Sequence, residues 1–154
     1  GPQHAQIAAL AGITEYFDQL HQHHFGEPDL SLHQRARKTF ELVGKHEAKL
    51  ANILLDYLKA REDIRILGQD HAVPGHRAST IAFHARVMPS KHIAEQLAES
   101  RIGVGSGDFY ALRCVEALGM DPTDGVVRVS MVHYNTVAEV TKLVETIDSI
   151  LPGS

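Results

Sequence analysis

Apolar residues return every three or four positions over the first part of the chain. Ile7, Leu10, Ala11, Phe17 and Leu20 make one stripe, and that period belongs to an amphipathic helix. Gly26, Glu27, Pro28 and Asp29 break it, as turn-forming residues do. Ser31 stands three residues before Gln34, the spacing of a capping box, and predicts the start of a second helix. The apolar face of that helix runs through Ala36, Phe40, Val43, Leu50, Ala51, Leu54, Leu55 and Leu58. At 1.5 Å per residue it would be on the order of 40 Å long, which suggests a helix that reaches toward something else.

Beyond residue 60 the period changes. Ile64-Arg65-Ile66-Leu67 is short and β-prone and ends at Gly68. Residues 80–85 alternate apolar and polar, as a half-buried strand does. Pro89-Ser90 opens a helix to about Ser100, with Ser90 suited to the N-cap. Residues 102–105 predict a brief strand running into a glycine loop. Residues 109–118 predict a helix stopped by Gly119, and residues 126–132 are the clearest strand. Thr136 caps a last helix, with Glu139 three residues on and Val137, Val140, Leu143, Val144, Ile147, Ile150 and Leu151 on one side. This order of elements predicts an α+β fold: a two-layer sandwich of a small, mostly antiparallel sheet covered by helices and preceded by a long helix.

Composition narrows the classes of function. The 154 residues fit one domain. With 44% hydrophobic and 22% charged residues, the chain has the balance of a soluble globular protein. No apolar run reaches the roughly 18 residues of a membrane-spanning helix. The single cysteine, Cys114, excludes an internal disulfide and cysteine-rich zinc modules. The formal net charge is −4, and the densest basic stretch, Arg35-Ala36-Arg37-Lys38, reads as the wet side of a helix start, so no nucleic-acid partner is expected. Eleven histidines make the net charge sensitive to pH. No secretory signal is visible, and the expected location is cytoplasmic. Gly1-Pro2 carries no structural weight, and the lack of a starting Met suggests a piece of a longer protein.

Four features are candidates for chemistry. Gly103-Val104-Gly105-Ser106-Gly107 matches part of a dinucleotide fingerprint with the wrong spacing; it reads as a flexible turn, a nucleotide site or a substrate loop. His21 and His24 are spaced to face one metal, or to sit as polar residues at a helix end near the negative dipole. Cys114 reads as a small buried hydrophobe or as a nucleophile. Arg128 interrupts the apolar run Val126, Val127, Val129, Met131, Val132. Its planar fork suits a carboxylate, while strand alternation allows the plainer reading that Arg128, Ser130 and Val132 share a wet face. No nucleophile elbow, Walker loop or zinc-protease motif is present.

The stretch Gly125-Val126-Val127-Arg128-Val129-Ser130-Met131-Val132-His133-Tyr134-Asn135-Thr136, followed by Glu139 and the Leu143/Ile147 helix, resembles the C-terminal signature of class V aminotransferases. It is most similar to the cysteine-desulfurase-like branch of these pyridoxal-phosphate enzymes. Gly107-Asp108-Phe109-Tyr110-Ala111 resembles the active-site loop that precedes the signature, and residues 3–10 resemble the segment where the chain leaves the large domain.

The resemblance implies the small domain of a fold-type I pyridoxal-phosphate enzyme. Residues 1–30 would be the helix leaving an absent large domain, 31–60 a long linking helix and 61–154 the α+β small domain. It implies pyridoxal 5'-phosphate in the full-length parent and none in this chain alone. The Schiff-base lysine would lie upstream, since none of Lys38, Lys45, Lys49, Lys59, Lys91 or Lys142 stands in its context; the isolated chain is therefore expected to be inactive. Arg128 would bind the α-carboxylate of an amino-acid substrate, with Gly107, Asp108, Phe109 and Tyr110 forming the active-site loop. No metal is expected. The implied partners are the missing large domain and a second copy in a homodimeric parent.

The loop departs from the family's pattern. Tyr110 stands where desulfurases carry their nucleophilic cysteine, and Cys114, about one helical turn later, does not inherit that role. Asp108 stands where related sequences tend to have histidine. Transaminase, lyase and desulfurase-like chemistry remain open. The alternative to all of these is a standalone module that binds a small anion or a protein without catalysis.

Overall fold

Helix α1 (His4–His24) and the first part of α2 (Leu32–Lys59) make one unit, which ends at Lys45; the chain from His46 makes a second. The computed structural model describes residues 3–27 and 29–152. The Gly1-Pro2 opening and the Pro28 part of the predicted break lie outside them.

In the first unit the predicted capping box forms. Ser31 N–H donates to Gln34 Oε1 at 3.0 Å, and Gln34 N–H donates to Ser31 Oγ at 3.4 Å. Asp18 accepts from Nε and Nη2 of Arg35 at 2.9 and 3.3 Å. Those hydrogen bonds, with the charge behind them, hold the Asp18 carboxyl below its ordinary range. The rings of Phe17 and Phe40 pack 4.8 Å apart. The apolar stripe of α1 is used only in part: Ile7 and Leu10 stay exposed, while His21 is buried with its ring against Phe25.

In the second unit, Leu50, Ala51, Leu54, Leu55 and Leu58 of α2 are fully buried, each leucine stabilising the fold by about 1.5–3 kcal/mol. They pack on a sheet of β1 (Ile64–Leu67), β2 (Thr80–Ala85), β3 (Gly105–Gly107) and β4 (Val126–Ser130), all antiparallel, in the order β1-β2-β4-β3. Period-two alternation puts Ile81, Phe83, Val127 and Val129 on the core face. There they meet Ile93 and Leu97 of α3 (Ser90–Glu99) and Val140, Leu143 and Ile147 of α5 (Val137–Ile150). The opposite face carries Thr80, Ala82, His84, Val126, Arg128 and Ser130 by the same alternation. A second, smaller cluster covers part of it: Val115 of α4 (Leu112–Ala117), Met120 and Val126, with Leu67, Ala82 and Phe109 against them. This is the expected α+β architecture, with its elements in the expected order.

The differences lie at element ends. The third strand begins at Gly105 rather than 102, because Ile102 N–H turns back to Leu97 O at 2.9 Å and Ile102 and Val104 pack against the core without joining the ladder. The helix expected from residue 109 starts at Leu112, because Phe109 and Tyr110 take φ of +52° and +60°, outside the helical region. Ser90 is the first helical residue and not the N-cap. Its N–H donates to Asp124 Oδ1 at 2.7 Å, so the cap arrives from a residue distant in sequence. The fourth strand ends at Ser130 rather than 132.

Three further contacts fix the frame. Thr136 N–H donates to Glu139 Oε2 at 2.7 Å and Glu139 N–H to Thr136 Oγ1 at 3.2 Å, the predicted cap of α5. The long connection from Gly68 to Ser79 is tied to α2 by Asn52, whose Nδ2 donates to Ala72 O at 3.0 Å while its Oδ1 accepts from Ala72 N–H at 2.8 Å. Buried Arg61 donates to Asp63 through Nε and Nη2 at 2.9 and 2.8 Å. Among the described residues, no helix is long and apolar enough to cross a membrane.

Candidate functional site

Arg128 stands at the middle of β4 on the face away from the main core, and it is exposed. Its Cα partners across the two ladders are Ala82 on β2 and Gly105 on β3, so the arginine rises between two of the smallest residues. The alternation of β4 decides its direction: Val127 and Val129 go to the core, Arg128 and Ser130 to the open face. Among the described residues, nothing accepts a hydrogen bond from its guanidinium. The wet-face reading holds for Arg128 and Ser130, while Val132 lies beyond the end of the strand, and the same geometry leaves all five donors free for a ligand.

The loop ahead of β4 comes against this arginine. Phe109 places its ring centroid 3.8 Å from Arg128 Cζ, a cation–π contact. Gly107 has φ +121°, open to glycine. Asp108 holds the turn that follows: its carbonyl accepts from Ala111 N–H at 2.8 Å and its Oδ1 from Tyr110 N–H at 3.3 Å. Tyr110 is fully exposed. The structure thus brings Phe109 to Arg128, with Gly107 and Asp108 building the turn and Tyr110 projecting from it.

The glycine stretch ahead of the loop belongs to the same ladder as Arg128. Gly105, Ser106 and Gly107 are strand residues paired with Arg128, Val127 and Val126, and the helix that follows has six residues, so the stretch is not a phosphate cradle. Cys114 is exposed on α4, not buried as a small hydrophobe would be. His21 is buried and His24 exposed. Among the described residues, no three His, Cys, Asp or Glu side chains gather to hold a metal. A cleft of about 310 Å³ between residues 101–104 and the start of α5 is lined by Ser130 and Lys142 but not by Arg128.

The Asn135-Thr136…Glu139 part of the motif is architectural. Asn135 Oδ1 accepts from Val132 N–H at 2.9 Å, and Glu139 caps α5. Hydrogen bonds from the Thr136 backbone, the Thr136 hydroxyl and Asn135 keep the Glu139 carboxyl below its ordinary range. Two glycines named in the sequence have a packing role there that spacing alone does not show. Gly105 makes room for Phe109, and Gly125, at φ +67°, lets Gly107 pass close by. The Asp124-Gly125 pair before a strand was the available signal.

The family model of class V aminotransferases matches residues 30–143. An aminotransferase-like protein of Gibberella zeae, FGM3, is 33% identical over 119 residues, which are 77% of this chain and 30% of that protein. A cysteine desulfurase-like protein of Aspergillus flavus, ustD, is 31% identical over 115 residues, 73% of this chain and 26% of that protein. Among solved structures, the cysteine desulfurase CsdA of Escherichia coli superposes with a TM-score of 0.60 at 25% identity, covering 80% of this chain and 28% of that one. The chain therefore spans less than a third of each of these relatives.

Proposed function

Because this chain belongs to the class V aminotransferase family, in its cysteine desulfurase-like branch, we propose that it is the C-terminal domain of a longer pyridoxal-phosphate enzyme acting on an amino acid, and that Arg128 grips the substrate's α-carboxylate. The observation that carries this is the exposed Arg128 guanidinium, free of protein acceptors and raised between Ala82 and Gly105. A planar fork of N–H donors matches a carboxylate edge to edge. Fixing the carboxylate fixes the bonds at Cα, which is the positional contribution to catalysis. Gly107, Asp108, Phe109 and Tyr110 form the loop beside the substrate.

The family's cofactor, pyridoxal 5'-phosphate, is attached through a lysine. No strand of this sheet contains a lysine, so the residues around Arg128 do not fit that attachment, and the rest of the longer protein would supply it. In this reading residues 1–30 leave the large domain, 31–60 link to it and 61–154 are the small domain; the enzyme is a cytoplasmic homodimer. The loop holds Tyr110 and no cysteine, so it does not itself provide a sulfur nucleophile.

The test is Arg128→Ala in the complete enzyme. Losing a charged pair at the substrate costs about 2–4 kcal/mol of transition-state binding, or roughly 30- to 1000-fold in kcat/KM. Unchanged kcat/KM toward every amino acid turned over would remove Arg128 from the site.

A further inference from the structure

Arg128 and Gly105 are directly opposed across the β3–β4 ladder, so the Arg128 side chain and the place a Cβ would take on Gly105 lie on the same face of the sheet. A glycine there leaves a notch beside the arginine stem. That notch is filled from elsewhere: a Cβ built on Gly105 would lie 2.9 Å from both Cε1 and Cζ of Phe109. The same ring lies 3.8 Å from Arg128 Cζ, and it packs against the Val115, Met120 and Val126 cluster. One aromatic ring therefore contacts a backbone notch, an apolar floor and a guanidinium.

The backbone that delivers the ring is costly. Phe109 and Tyr110 are consecutive non-glycine residues at positive φ, +52° and +60°, where side chains crowd the chain. Such a conformation persists only when its surroundings over-determine it, and it concentrates at working sites. Here the ring in its notch and the Asp108 turn supply that constraint.

We infer that Phe109 is a positioning residue for Arg128, and that Gly105 is glycine to admit it. The ring shields one side of the guanidinium from water and limits its rotamers, leaving the N–H edges to meet a carboxylate. Less freedom is then lost when the ligand arrives. This inference rests on the reading of Arg128 as the carboxylate anchor, but the contact itself is measurable apart from it.

The first experiment uses the 154-residue chain and NMR of the arginine side chains. The Arg128 Nε–H and δ protons are expected to be displaced by the ring current of Phe109. Phe109→Leu abolishes the displacement, and Phe109→Tyr retains it. Gly105→Ala reduces it, since the methyl enters the space of the ring's far edge and the side chain can swing away without unfolding the sheet. Arg128 resonances that are the same in the wild type and in folded Phe109→Leu overturn the inference.

The second experiment uses the complete enzyme. Phe109→Leu is expected to raise KM about two- to tenfold, by more than it lowers kcat, as loss of a cation–π support implies, and Phe109→Tyr recovers KM. If Arg128→Ala is damaging while Phe109→Leu leaves KM unchanged, the positioning role fails and the carboxylate anchor stands. If Arg128→Ala is silent, the anchor fails, and the NMR result alone decides whether the stack exists.

Discussion

Gly119 and Gly125 share a backbone conformation and differ in their surroundings, which makes them a matched pair. Their φ values are +73° and +67°. A Cβ at position 119 meets nothing within 4 Å, whereas one at 125 lies 2.2 Å from the carbonyl carbon of Gly107 and 2.3 Å from its oxygen. Alanine at either site pays the left-handed penalty of about 1–2 kcal/mol. At 125 the backbone of Gly107 must also withdraw, and with it the Gly107–Val126 end of the β3–β4 ladder. Losing that pairing and making room for the methyl adds about 2 kcal/mol. Gly119→Ala is thus expected to cost about 1–2 kcal/mol and Gly125→Ala about 3–4 kcal/mol. In urea, with a slope of about 2 kcal/mol/M, the midpoints fall by roughly 0.5–1 M and 1.5–2 M. Unfolding followed by circular dichroism measures both. Equal midpoints in the two variants would refute the steric account of Gly125.

Two further predictions concern polar contacts. Asp124→Ala removes the acceptor for Ser90 N–H at the start of α3 and the partner of His84 Nε2 at 3.2 Å. It is expected to cost about 1–2 kcal/mol, a fall of roughly 3–6 °C in Tm, with Asp124→Asn losing less; an unchanged Tm in the alanine variant rejects the cap. The Asp63 carboxyl is held below its ordinary range, first by its hydrogen bonds from Arg61. A depressed carboxyl contributes stability that is present above its unfolded value of about 3.9 and lost as the pH falls through the lower folded value. Asp63→Asn should therefore cost about 1–2 kcal/mol near neutrality, since Arg61 keeps Asp148 at 3.5 Å and the Pro152 carbonyl at 2.9 Å, and should flatten the acid limb of urea midpoint against pH. A limb as steep as the wild type's counts against Asp63 as its source.

The sequence announced what depends on period and on local pairs. The buried leucines of α2 follow the 3.6 repeat, and Ser31–Gln34 and Thr136–Glu139 are read three residues apart and found bonded as read. It left the role of Arg128 between a carboxylate grip and a plain place on a wet face, because alternation puts a side chain on a face without saying what meets it there. What stayed hidden depends on residues that meet only after folding. Phe109 fills a gap left by a glycine on another segment. Asp124 caps a helix that begins far earlier in the chain, so Ser90 took the credit. Ile102 and Val104 looked like strand because they are apolar and alternate, yet hydrogen bonding, not burial, defines the ladder, and theirs begins at Gly105.

Asn52 treats Ala72 as a neighbouring strand would, giving one hydrogen bond and taking one from the same residue. The stretch joining β1 to β2 is thereby pinned near its middle and behaves as two short tethers in place of one long rope. Closure entropy grows with the logarithm of length, about 0.6 kcal/mol per doubling, so the pin matters less for the total than for its partition. Residues added on one side of Ala72 leave the anchor on the other side where it was, and a single amide side chain decides how far from the sheet that part of the surface can stray.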